Sequence, residues 1–155
     1  MADAPATNAA VKQRRARIAF LNRLEQAPDT VEVTDDFVFE DRRRATGGVS
    51  FGRYGRSDFL AAVRSTWEIG PRPRFSMGPI IGVRGERSAA VVERIDFEDG
   101  SHLEQISVVQ LDATLRQMRR RLAFDVDDTS SAIDALDQLH AEIDDSPSSR
   151  GPPTR

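Results

Sequence analysis

The chain has 155 residues, no cysteine and a formal net charge of -3 at neutral pH. That length makes one domain with a core of its own, and the missing cysteines exclude disulfides, thiolate metal sites and cysteine nucleophiles. The mildly acidic balance argues against a nucleic-acid surface, and no apolar run approaches membrane-spanning length.

Residues 1–8 are small and polar, without the apolar core of a signal peptide, and are expected to be disordered in a cytoplasmic protein. A helix is predicted over 10–26, with Ile18, Leu21 and Leu24 on one face and Pro28 beyond its end. The basic run from Lys12 to Arg17 reads as the solvated side of that helix. Then comes Phe37-Val38-Phe39-Glu40-Asp41-Arg42-Arg43-Arg44, an aromatic and β-branched strand that ends abruptly in charge. Alternation puts Phe37, Phe39 and Asp41 on one face, with a carboxylate closing an apolar row.

The Gly-rich loop 51–56 lacks phosphate-loop spacing. A second helix over 57–68, capped by Ser57, has Phe59, Leu60, Val63 and Trp67 on its apolar side and is closed by Pro71 and Pro73. Four strands follow, over 75–83, 88–97, 102–111 and 115–125, separated by turn residues. The last helix, over 130–143, carries Ile133, Leu136, Leu139 or His140, and Ile143 on one stripe, and a Ser-, Pro- and Gly-rich tail follows over 145–155. The expected architecture is α+β: a curved antiparallel sheet with helices packed on one side, forming one domain over 9–144.

The strand over 88–97 places Val92, Arg94 and Asp96 on one face, and Glu93 on the other with Val91, Ile95 and Phe97. Inward charge on two strands is costly unless the charges meet each other or a ligand. Asp41, Arg94 and Asp96 are therefore the candidate acid–base cluster, with one carboxylate expected to have a raised pKa. The competing readings are a strand-end pair of Asp41 with Arg42 or Arg43 and a plain Arg94–Asp96 ion pair. His102 and His140 lie far apart without ligand spacing, so neither a metal nor another cofactor is expected.

The order of elements, with "DDFVFEDRRR", "YGRSDFLAAV", "ERIDFEDG" and "ISVVQLD…RRRLAFD", resembles the SnoaL-like members of the nuclear transport factor two superfamily. The resemblance implies a cone-shaped curved sheet with helices on its concave side. Asp41 falls where the ketosteroid isomerases of that superfamily carry a general-base aspartate. The first helix has no tyrosine for their oxyanion hole, however, and Ser107 sits near the place of their second donor. Arg94 and Asp96 match the arginine and general-acid aspartate of limonene-epoxide hydrolases, whereas Phe39 and Leu122 stand where those enzymes carry a tyrosine and a base aspartate. Phe39, Trp67, Ser107 and Leu122 are the candidate pocket residues.

The implied function is acid–base chemistry on a small apolar metabolite, such as epoxide opening or cyclisation. The alternative is a non-catalytic ligand-binding or dimerisation module of the same fold. A homodimer is expected through Val91, Ile95, Phe97, Ile106 and Val108, with no nucleic-acid or membrane partner.

Overall fold

The computed structural model describes residues 7–44, 52–70 and 72–145. The remainder of both termini, including all but the first residue of the 145–155 tail, lies outside the described residues. In chain order the elements are α1 (Ala9–Asn22), β1 (Val33–Asp41), β2 (Gly52–Tyr54), α2 (Arg56–Ile69), β3 (Arg74–Arg84), β4 (Ser88–Asp96), β5 (His102–Leu111), β6 (Met118–Phe124) and α3 (Thr129–Asp145). The strands form one curved, open sheet in the order β2-β1-β6-β5-β4-β3. The chain is α+β, as expected.

The sheet is mixed, because β1 runs parallel to β6 while every other neighbouring pair is antiparallel. Only the hairpin-linked strands β3 to β6 form the expected meander. β1 reaches β6 through a long connection, the kind that permits parallel pairing.

Both faces of the sheet are apolar, and both are covered. Val91, Val109, Phe37 and Phe39 pack with Ala10 and Val11 of α1 and Phe59 of α2. Residues of the opposite alternation, Ala90, Ile106 and Val108, pack instead with Ala132, Ala135, Leu136 and Leu139 of α3. The expectation that all helices share one side is thus corrected: α1 and α2 lie on one face, α3 on the other. Gly82 permits the close approach of α3, since a Cβ there would meet Leu136 Cδ2 at 3.2 Å.

The dimer surface read from the sequence is also corrected. Val91, Phe97, Ile106 and Val108 are buried within the chain itself. Among the described residues, no helix is long and apolar enough to cross a membrane.

Several boundaries have side-chain causes. Asn8, placed in the polar N-terminal stretch, is buried and caps α1, its Oδ1 accepting from the Val11 N–H at 3.0 Å. Its amide also donates to the Gly85 and Ser88 carbonyls at 2.9 and 2.8 Å, which fixes α1 to the β3–β4 turn. At the other end, Asn22 exchanges two hydrogen bonds with the Phe75 backbone, both 2.8 Å, so α1 stops where it meets β3. α2 begins at Arg56 with Gly55 as its cap, so Ser57 lies inside the helix rather than capping it.

Asn8→Ala removes the cap and strands two carbonyls, so it should cost about 1–3 kcal/mol in urea unfolding. A loss below about 0.5 kcal/mol, the scatter of ordinary surface changes, would show that this tether carries no stability.

Candidate functional site

A cavity of about 450 Å³ lies between α1, α2 and the sheet face they cover. Its walls are mostly apolar, with Leu21, Phe59, Val63, Phe75 and Ile95 among them, and its charged residues are Arg14, Asp41, Arg43, Glu93 and Arg121, with Arg94 at the rim. Few pockets of this kind mix so many charges into an apolar shell, since each must find compensation inside.

β1 supplies the aromatic row and its terminal carboxylate. Phe37 and Phe39 pack on Phe59 with ring centroids 4.8 and 5.4 Å apart, and Phe39 stacks on Tyr54 at 5.9 Å. Two residues further, Asp41 is 1% exposed and held by Arg43, whose Nε and Nη2 donate to its two oxygens at 2.9 and 2.6 Å. The strand-end pair with Arg43 is therefore present. It does not remove Asp41 from the cavity wall.

The second carboxylate is Glu93. Its Oε2 accepts from Arg14 Nε at 2.8 Å, and its Oε1 accepts from Arg121 Nη2 and Ser107 Oγ, each at 2.7 Å. Ser107 Oγ in turn accepts from Arg121 Nη2 at 3.0 Å. Arg121 sits beside Phe39 in the β1–β6 register and lies over the Phe39 and Phe59 rings, 5.9 and 5.7 Å from their centroids. Burial alone would push the Glu93 carboxyl up, but Arg14 and Arg121, with hydrogen bonds from Arg14 and Ser107, hold it down at about 2. Burial, with repulsion from Arg14 and Arg43, lowers Arg121 to about 10 against the pull of Glu93 and Asp41. Both groups are ionised at neutral pH.

Of the residues singled out from the sequence, Asp41, Phe39 and Arg94 line the cavity. Asp96 does not, and the three-residue cluster is not assembled. Along β4, Arg94 and Asp96 alternate with the cavity residues Glu93 and Ile95 and lie past Ala90 and Val92, the residues of that strand that pack with α3. There they form a half-exposed pair 2.8 Å apart, with Glu104 3.9 Å from Arg94. The Arg94 hydrogen bond lowers the Asp96 pKa, opposite to the raised carboxylate expected. Ser107 is buried behind Glu93, and Leu122 belongs to the core under α3. Trp67 packs on the cavity residue Phe75 at 5.6 Å without lining the cavity itself.

The error on β4 has a physical origin. Ser88-Ala89-Ala90-Val91-Val92 is apolar on both faces, so alternation fixes which residues share a face but not which face is inward. The same ambiguity put Glu93 outside. The basic run of α1 is not simply the solvated side expected of it, since Arg14 and Arg17 are both buried. One signal was present: Arg14 is spaced in fours with Ala10 and Ile18, inside an apolar stripe. Among the described residues, no cluster of three His, Cys, Asp or Glu is placed to hold a metal ion.

No protein-family model and no curated protein matches the chain. Solved structures do match in shape. A protein of unknown function with a cystatin-like fold from Methylobium petroleophilum PM1 superposes with a TM-score of 0.59 at 16% identity, covering 80% of each chain. The BvnE pinacolase of Penicillium brevicompactum gives 0.57 at 12% identity, over 86% of this chain and 97% of that one. The Δ5-3-ketosteroid isomerase of a Mycobacterium species gives 0.54 at 13% identity, over 79% and 97%. The fold is NTF2-like. At these identities the likeness is one of architecture, and the NTF2-like fold does not by itself name a reaction.

The depressed Glu93 pKa has a consequence for stability. Because the folded value of about 2 lies below the ordinary 4.5, the stabilisation is complete above about pH 4.5 and is lost as pH falls toward 2. Glu93→Gln should be less stable than the parent at neutral pH and should flatten the acid limb in that window, measured by urea unfolding across pH. An unchanged acid limb would show that other carboxylates set it.

Proposed function

We propose that the chain is a small-molecule enzyme of the NTF2-like kind, in which Asp41 moves a proton on a largely apolar metabolite held in the cavity. One observation carries this reading. Asp41 is a buried carboxylate set in the wall of an apolar cavity, at the end of the aromatic row Phe37–Phe39.

Glu93 is unsuited to that task. Both its oxygens are occupied by arginine or serine donors, and protonating it requires strongly acidic solution. Among the described residues, the hydrogen bonds to Asp41 instead come from Arg43, two residues along and partly exposed at the strand end. A shift of Arg43 would release the carboxylate as a base, while Arg14 and Arg121 stay fixed on Glu93 as a cationic wall for the polar end of the substrate. Proton transfer of this type serves epoxide opening or ring closure. The pinacolase and isomerase sharing the fold make an enzyme a natural occupant of this architecture.

A second reading is a ligand-binding module without turnover. It is favoured by the fact that both cavity carboxylates are already ion-paired.

Incubation with a mixed metabolite extract, followed by mass spectrometry of bound and free compounds, separates the two. The parent should bind one compound and convert it. Asp41→Asn should still bind it while converting it about a hundredfold more slowly or less, the usual scale of general acid–base catalysis. Ala62→Trp, placed on the exposed cavity side of α2, should block binding. Conversion by Asp41→Asn at the parent rate would remove Asp41 from the chemistry. Retention of one unchanged compound by both proteins would favour the binding module.

A further inference from the structure

We infer that the cavity selects apolar ligands bearing a single negative charge, such as a carboxylate, over uncharged molecules of the same frame. This rests on the reading that the cavity is the ligand site, and it adds the ligand class.

Charge compensation inside the cavity sets the preference. Among the described residues, the cavity lining holds four guanidiniums, Arg14, Arg43, Arg94 and Arg121, against two carboxylates, Asp41 and Glu93. Arg94, half-exposed, is matched by Asp96, which does not line the cavity, and so leaves the count at three against two. Three cations against two anions leave one positive charge.

The position of that charge follows from the pairing. Arg43 and Asp41 close a two-bonded pair. Arg14 and Arg121 must share Glu93, one on each oxygen. The surplus therefore belongs to the Arg14–Glu93–Arg121 triad. Its hydrogen bonding is incomplete too: Arg121 Nε is buried and has no partner among the described residues. Arg14 Nη1 meets only the weak acceptor Met118 Sδ, at 3.8 Å. The rings of Phe39 and Phe59 offer Arg121 their faces, which attract a cation without neutralising it.

Such a charge is poorly solvated by apolar walls and weakly screened by salt. A neutral ligand that displaced water from the cavity would leave it worse off. A ligand with one anionic group restores balance, and its apolar remainder meets Leu21, Phe59, Val63 and Phe75. A dianion would overshoot, and a cation would add repulsion.

Two fluorescent probes sharing an aromatic frame test this. Anilinonaphthalene sulfonate carries one negative charge, and phenylnaphthylamine lacks the sulfonate. The parent should bind the sulfonate about tenfold more tightly or better, and Ala62→Trp should weaken both probes, placing them in the cavity. Arg14→Gln leaves Arg121 and Glu93 matched one to one, so the ratio of the two affinities should fall to about one. Glu93→Gln adds a positive charge and should widen the ratio.

Equal affinities in the parent, or a preference surviving Arg14→Gln, would overturn the charge selection while leaving the cavity as the binding site. Binding of neither probe, or binding indifferent to Ala62→Trp, would overturn the site itself. The comparison in the parent needs no variant to fold, and it decides the charge selection even where a substitution destabilises the chain.

Discussion

The Glu93 carboxylate, held between two arginines beneath an apolar cavity, is the constraint on which the rest of the architecture turns. It joins three elements distant in sequence: Arg14 from α1, Glu93 from β4 and Arg121 from β6, with Ser107 of β5 completing the ring of donors. Removing water from three charges costs more than an apolar replacement of similar volume would, so the triad is a poor device for stability alone. Losing one member would be worse still, because it leaves a buried charge without its partner. The triad thus adds a buried tether between α1 and the sheet, midway between the Asn8 and Asn22 contacts at the two helix ends.

The sheet is arranged to make this geometry possible. Parallel pairing of β1 with β6 sets Phe39 beside Arg121, which brings the aromatic row of β1 against the cation of β6. Antiparallel pairing of β4 with β5 sets Val91 opposite Ser107 and Glu93 opposite Gln105, so the serine donor reaches Glu93 diagonally. α2 then lays Phe59 across Phe37 and Phe39 and roofs the cavity. α3 takes no part in the cavity. By burying the other face against Leu136 and Leu139, it keeps the sheet rigid from behind.

Much of this was legible in the sequence where one period dominated. The strand ending in Asp41, the amphipathic α2 and α3, and the turns of the meander each rest on a local pattern with a single reading, as does the placement of Phe39 and Asp41 on one face. What failed is the information local patterns do not carry. β4 and β5 are apolar on both faces, so the side on which Glu93 falls depends on which helices cover which face. That is set by the chain's path and not by Ala89-Ala90-Val91-Val92 itself. The three-residue β2 has too few residues for any periodicity to register, and buried arginines look like solvated ones until the carboxylate that receives them is found. Asn8 was missed for a related reason: its cap is local, but its bonds to Gly85 and Ser88 are not.

The two carboxylates of the cavity sit in different surroundings, which is what the proposed division of roles rests on. Glu93 is locked: two guanidiniums, one hydroxyl and a pKa near 2 leave it no role in moving protons at neutral pH. Its contribution is to hold Arg14 and Arg121 at fixed positions, which is what electrostatic preorganisation demands. Asp41 is tethered differently, by a neighbour at the end of its own strand whose side chain is partly exposed, while the aspartate itself is buried. A group that must accept and return a proton needs a partner that can yield, and a group that must orient charge needs partners that cannot. Environment alone thus gives two similar carboxylates different surroundings: Glu93 is enclosed by donors from three elements, and Asp41 is held by one partly exposed neighbour at the edge of the aromatic wall.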